Sequence, residues 1–481
     1  MYAEPAAPQR SVAAPRSGDG YWRRLLPLLL LLACLTRVPS FAHPLWNPDE
    51  GYLAVQARIL AHGGELYETV VDRKPPLVPW LYQGAFALAG SDSLLPVRLL
   101  AVLAHLVTAA LLASLARRRW GNAAGRTAGV LYLLISVGLN PEDAQAAGFE
   151  VFILPCTAAA VWCADRRRWA AAGLAVGCAF LTKQTGGAVL LPVLWLSGPS
   201  WAGLLRIGAG AVLPVLAAAL LTDPSGFLFW TVTGSGAYAS FTGSELHVLA
   251  RALANSALLT GACAGLLTPL ARGLRNCPGD CADLWLWTGS SAAAVITGFH
   301  FFGHYYLQLT PPLALLATAA LRGLPTPQRT RALATTALCT ALFLTWGLLA
   351  PRPELTHAQR LAEAITRHTS PHDRVLLWGM HPETYWLSDR TPATRYLTAG
   401  FLTNYSGGRN GPNVGERYAM KHAWRTFHRD LATQAPRLIV DDSRGKPYAP
   451  DRIRPLRRLL EGYEEVGAVG GAVLYARAAS R

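Results

Sequence analysis

The sequence predicts an α-helical polytopic membrane protein with about eleven transmembrane helices and a small C-terminal α/β domain outside the membrane. Three observations carry that reading. Of the 481 residues, 52% are hydrophobic and only 15% charged, whereas soluble domains carry about 25% charged residues. The deficit is confined to residues 25–350, a series of apolar runs near membrane-spanning length. Residues 351–481 have ordinary soluble composition. The chain therefore divides into a disordered cytoplasmic tail (1–24), a membrane domain (25–350) and an extracytoplasmic α/β domain (351–481).

The net charge of +15 does not point to nucleic acid. Basic residues cluster between apolar runs, at Arg23 and Arg24, at 117–119, at 166–168, at Arg272 and Arg275, and at Arg329 and Arg331. The positive-inside rule places such clusters in the cytoplasm. Among the 44 basic residues only Lys74, Lys183, Lys421 and Lys446 are lysine. Six of the eight cysteines lie in apolar runs, where cysteine acts as a small hydrophobe. Cys277 and Cys281 share a loop read as internal, where a disulfide is not expected. No spacing suggests a metal site.

The first apolar run, 25–41, reads as a retained signal anchor rather than a signal peptide cleaved near Ser40-Phe41-Ala42. Residues 77–90 are apolar but short, and read as a helix at the outer interface. Making them a crossing would put Arg117, Arg118 and Arg119 outside. The other spans fall at roughly 96–116, 126–139, 147–164, 169–182, 186–199, 203–221, 252–270, 284–300, 305–321 and 331–350. With the N-terminus inside, residues 42–95, 140–146, 183–185, 222–250, 300–305 and everything after 350 lie outside. The unusual polar residues collect in these outer segments.

The first outer loop contains Trp46-Asn47-Pro48-Asp49-Glu50-Gly51-Tyr52, then Gly63-Gly64-Glu65-Leu66-Tyr67, then Asp72-Arg73-Lys74-Pro75-Pro76-Leu77. Residues 52–61 have helical spacing, with Leu53, Ala57 and Leu60 on one face. Asp49 and Glu50 fall in the first turn of that helix. Acidic residues there can simply complement the helix dipole, or serve as a general base at the mouth of a cavity. Lys74 is held extended by the prolines that follow it. It and Arg73 could meet lipid headgroups in general or the phosphate of one lipid.

The order Asp-Glu, Gly-x-x-Tyr, Asp-x-Lys-Pro-Pro-Leu after a first span resembles the first outer loop of the GT-C glycosyltransferases. It is most similar to the bacterial branch with protein O-mannosyltransferase-like enzymes and lipid A aminoarabinose transferases. Asp49, Glu50, Tyr52, Gly64, Tyr67, Asp72, Lys74, Pro75 and Pro76 carry the match. Residues 145–152, the Leu181-Thr182-Lys183 turn, and the stretch from Gly303-His304-Tyr305-Tyr306 through Gln308 to Pro311-Pro312 extend it over about 25–350. Where relatives often place Asn before the second-loop Glu, this chain has Gly148-Phe149. The second carboxylate is therefore Glu150, Asp143 or Glu142, with Glu150 preferred.

The resemblance implies transfer of a sugar from a polyprenyl-phosphate donor to an extracytoplasmic acceptor, with inversion and with neither cofactor nor catalytic metal. It implies Asp49 as base, assisted by Glu50 and Glu150. Lys74, Arg73 and His304 would bind the donor phosphate, and Tyr52, Tyr67, Asp72, Asp143, Tyr305, Gln308 and Lys183 would contact substrate. Expected partners are the bilayer, the lipid-linked sugar, and a glycan, lipid or protein of the cell envelope. The competing class is a transporter or flippase of lipid-linked sugars. Such proteins usually keep ionisable groups near mid-membrane, whereas here they gather on one face and no internal repeat is evident.

In the tail, 358–368, 427–434 and 456–463 read as helices. Residues 374–378 and 437–440 read as strands and 466–475 as a closing hairpin. Residues 378–383 and Asn404-Tyr405-Ser406 read as ordinary surface turns.

Overall fold

A computed structural model describes residues 19–236, 245–275, 281–405, 407 and 413–478. A helix occupies each of the eleven segments read as spans. They are α1 (Asp19–Thr36), α4 (Leu95–Trp120), α5 (Asn122–Ile135), α7 (Phe149–Asp165), α8 (Trp169–Thr182), α9 (Leu190–Ser197), α10 (Trp201–Leu221), α12 (Glu245–Ala262), α14 (Ala282–Ile296), α15 (Thr310–Arg322) and α16 (Thr326–Leu349). Between them lie α2 (Pro48–Ala61), α3 (Leu77–Ala89), α6 (Pro141–Ala144), α11 (Pro224–Leu228) and α13 (Leu267–Arg275). Among the described residues, three helical runs are long and apolar enough to cross a bilayer alone: α4, α10 and Thr326–His368. The bent pair α12–α13 passes the same test when its two helices are counted together as one span. The expected count of eleven crossings thus rests on the hydropathy pattern, because helices such as α8, with 14 residues, are short for a full span.

Several boundaries differ from the sequence reading; α5, α9, α14 and α15 are offset from the expected 126–139, 186–199, 284–300 and 305–321 by up to five residues. Helix α1 starts at Asp19, so residues 19–24 are helical rather than tail, and the earlier residues lie outside the described set. The span read as 252–270 is bent by 68°. Pro269 has no N–H to continue the helical ladder and sits in the first turn of a new helix, where none is needed. Gly265 marks the break, where an added Cβ would meet the Ala332 carbonyl oxygen at 2.3 Å.

Helices α4, α5, α7 and α8 pack around one apolar core with Leu112, Leu131, Tyr132, Phe149 and Leu154 fully buried. Opposite ends of α7 carry different chemistry. Glu150 is in its first turn, and the Arg166, Arg167, Arg168 run follows its last. Seventeen residues of helix separate them by about 25 Å.

After α16 the chain forms α17 (Pro353–His368) and a five-stranded sheet of order β2-β1-β3-β5-β4. Strands β1 (Arg374–Trp378), β2 (Thr391–Pro392) and β3 (Leu438–Asp441) are parallel; β4 (Tyr463–Val469) and β5 (Ala472–Arg477) close it as an antiparallel hairpin. The central strands are covered on both faces and read as the apolar runs Val375–Trp378 and Leu438–Val440. Helices α18 (Glu383–Leu387), α19 (Gly400–Thr403), α20 (Ala423–Gln434) and α21 (Arg454–Leu460) complete the layer. Residues 461–463, read as helix, instead turn at Gly462 and enter β4.

The core of this layer is continuous with the first outer loop. Val55, Leu60, Leu66, Val70 and Val71 pack into the same cluster as Leu376, Tyr396, Phe401 and Leu438. The turns read as ordinary surface are in fact the joint. Glu383 packs so closely that a Cβ on Gly51 would lie 2.4 Å from its Cβ. Tyr405 donates a hydrogen bond to the Gly234 carbonyl. Ser406 and Cys277 lie outside the described residues, and Cys34, Cys156, Cys163, Cys178, Cys263 and Cys339 are free thiols.

Candidate active site

Helix α2 begins because Asn47 is extended and its side chain accepts from the Glu50 N–H at 2.9 Å, with Pro48 at the first helical position. Asp49 and Glu50 then point about 100° apart around the helix axis. Asp49 faces a recess lined by Asn47, Asp49, Asp143, Ala146, Gly148, Glu150, Val151, His304 and Leu307. Glu50 faces the core and is fully buried. It pairs with Arg98 at 3.1 Å and accepts from the backbone of Trp46 and Ala147. Arg98 also donates to the His43 and Pro44 carbonyls. This buried pair clamps the first outer loop to α4 and to the segment before α7, so Glu50 positions the site without reaching into it.

Lys74 meets Asp49 at 3.4 Å and lies 4.0 Å from the centre of the Phe149 ring. Two tyrosines fix its segment. Tyr52 donates to the Val71 carbonyl at 2.6 Å, and Tyr67 to the Lys74 carbonyl at 3.0 Å. Their hydroxyls hold the loop, and the structure does not bring them to the recess. Arg73 points the other way, because successive side chains of an extended segment alternate. Its guanidinium lies over Phe401 and Tyr405 and donates to the Tyr405 carbonyl at 2.5 Å. It joins the loop to the C-terminal layer, away from Asp49. The Asp72 carboxylate accepts from the Arg73 N–H. Burial pushes its pKa up, against the pull of Lys74.

On the opposite wall Gly148 lets α7 start, with Glu150 in its first turn. Lys183, at the end of α8, forms a buried ion pair with Glu150 and lies 3.7 Å from the Tyr305 ring centre. Burial lowers the Lys183 pKa despite the nearby carboxylates. His304, in the 3-10 turn before α15, closes the cluster. Its Nδ1 is 2.6 Å from Asp143, and its Nε2 is 3.9 Å from Asp49 and 4.0 Å from Glu150. Burial opposes charge on this ring, but Glu150, the Asp143 hydrogen bond and Asp49 outweigh it and raise the His304 pKa. Gln308 is buried beneath, with its amide toward the Tyr305 carbonyl.

Asp49 is tightly packed yet keeps 39% of its side-chain surface accessible. Burial disfavours its charge, but Lys74, His304 and Lys183 more than offset this and hold its pKa at about 2. Of the three second-loop carboxylates, Glu150 and Asp143 reach the cluster through His304. Glu142 is half exposed and pairs with Arg352 at 3.4 Å. Among the described residues no three histidine, cysteine, aspartate or glutamate side chains are grouped to hold a metal ion. Sequence reasoning missed Asn47, Phe149 and the Arg98 and Arg352 clamps. Asn47-Pro48 is a legible cap, but nothing local marks a phenylalanine as the seat of a lysine.

The helical bundle, capped by the small sheet, holds Asp49, Lys74, Asp143, Glu150, Lys183 and His304 together at one end. Residues 73–224 match the family described as dolichyl-phosphate-mannose-protein mannosyltransferase. Two crystal structures of ArnT from Cupriavidus metallidurans are similar at 16% identity. The undecaprenyl phosphate complex matches over 96% of this chain and 99% of that one, with a TM-score of 0.61. The apo state matches over 96% and 98%, with a TM-score of 0.64. The archaeal oligosaccharyltransferase AglB from Archaeoglobus fulgidus, with an inhibitory peptide and a dolichol-phosphate, matches at 12% identity over 96% of this chain and 74% of its own, with a TM-score of 0.53. No curated protein matches the sequence. The resemblance to GT-C glycosyltransferases read from the sequence is borne out by the family match and by the shared fold.

Proposed function

We propose that this chain is a multi-pass membrane glycosyltransferase that moves a sugar from a polyprenyl-phosphate carrier to an acceptor hydroxyl outside the cytoplasm. The observation that carries the reading is the joining of Asp49, Lys74, Asp143, Glu150, Lys183 and His304 in one ion-pair cluster. Two of the four lysines in the chain lie there. The sequences and structures it resembles include proteins named for dolichyl-phosphate-mannose and solved with undecaprenyl phosphate or dolichol-phosphate.

In the proposed reaction the acceptor oxygen attacks the anomeric carbon as its proton passes to Asp49. The bond from that carbon to the phosphate oxygen breaks, and the electron pair leaves with the polyprenyl phosphate. Attack opposite the leaving group inverts the centre. Lys74 and protonated His304 stabilise the departing phosphate. Glu150, tied to Lys183, orients sugar or acceptor hydroxyls. The arginines that end α4 and α7, at the far end of α7 from Glu150, support an outward-facing site in the cell membrane. A phosphate leaving group stabilised by these cations needs no metal or other cofactor.

Purified protein incubated with radiolabelled polyprenyl-phosphate sugars and envelope fractions is expected to move label into a glycan, lipid or protein. Label that crosses a vesicle membrane with its lipid link intact would replace the enzyme by a flippase.

A further inference from the structure

The Asp49–Lys74 contact sets the general base against itself. A carboxylate held this low accepts a proton poorly, and a lysine committed to a carboxylate is not committed to a phosphate. Both side chains remain partly open, at 39% and 23% of their surface. The neighbouring Lys183–Glu150 pair is different, at 9% and 2%. Moving Lys183 would strand Glu150 unpaired in the interior, whereas separating an accessible pair costs little.

Building on the function proposed above, we propose that Lys74 is a donor-operated switch: it holds Asp49 in an ion pair until the donor phosphate arrives, then transfers to the phosphate and frees Asp49 as the base.

The geometry suits such an exchange. Lys74 sits over the Phe149 ring, a contact that stabilises a cation without demanding an anion. Its backbone is pinned by Tyr67 and followed by Pro75 and Pro76, so only the flexible side chain has to move. The cations that act on Asp49 from other elements are His304 before α15 and Lys183 after α8, and Glu150 at the start of α7 lines the same recess. Asp72 adds negative charge from the same loop. When Lys74 leaves, Asp49 loses its strongest attraction and keeps only the weaker pull of His304 and Lys183, so its basicity rises where the acceptor needs it. The base is thereby freed only once the donor is seated.

Binding of undecaprenyl phosphate to the full-length protein in nanodiscs tests this without turnover. Asp49→Asn is expected to bind it roughly two- to fivefold more tightly than wild type, the value of one accessible ion pair. Lys74→Gln is expected to bind more weakly, with Lys74→Arg restoring part of the affinity. In a Lys74→Gln background, Asp49→Asn should change nothing. Equal tightening with and without Lys74 would mean a general charge effect and overturn the switch, as would no tightening at all. If the wild type does not bind undecaprenyl phosphate, the donor assignment itself falls.

Discussion

His304 ties three segments together at one end of the bundle, touching Asp143, Asp49 and Glu150 from a single ring. Its pKa is raised in the folded protein. The stability it contributes is therefore complete below its unfolded value of about 6.5 and lost as pH rises through the higher folded value. The melting temperature should fall across that rise in wild type, and His304→Asn should remove this dependence. Identical profiles for the two proteins would contradict the assignment. Asp49 works in the opposite sense: its contribution is present above its ordinary 3.8 and lost as pH falls through about 2. At this scale the sequence revealed Asp49 and Lys74 but not the division of labour between neighbours. Glu50 and Arg73 are each one residue from a site group. A one-residue step swings a side chain by about 100° on a helix and to the opposite side of an extended segment. Only the packed structure says which neighbour faces the recess.

Elements place these groups through close backbone approach, and Gly303 shows how. A Cβ there would lie 2.3 Å from Oδ2 of Asp143 and 2.9 Å from Oδ1 of Asn255. Gly303→Ala should push Asp143 off His304, at a cost of about 1–3 kcal/mol. It should lower the turnover rate more than tenfold, the scale of a misplaced catalytic group, while the protein still inserts and folds. Unchanged turnover would show that the Asp143–His304 contact is dispensable. Most helices were legible, because apolar run length and the arginine clusters mark them. The bend at α12–α13 was not, since Pro269 reads equally well as the first turn of a new helix or a kink in one span. The strands 374–378 and 466–475 were legible as short apolar runs between turn signals. The contact made by residues 378–383 was not, because a polar turn at a strand end looks the same whether it faces water or Gly51.

At the scale of the whole molecule, the bundle supplies a rigid floor and the C-terminal layer a wall. The layer's core runs into the first outer loop through Val55, Leu60 and Val70. Arg352, at the junction after α16, lies over the Trp46 ring and pairs with Glu142. Composition located the change near residue 350 but could not show that the two parts share a core, because sharing depends on contacts hundreds of residues apart. The arrangement gives one end of the bundle an accessible carboxylate, a lysine paired to it and a histidine whose pKa is raised. The measurement that tests this most directly compares wild type with Asp49→Asn in transfer of a radiolabelled sugar from polyprenyl phosphate to envelope acceptor. Wild type should transfer, and Asp49→Asn should lose on the order of 10²–10⁴-fold in rate while still inserting and folding. Full turnover by Asp49→Asn would contradict the central claim.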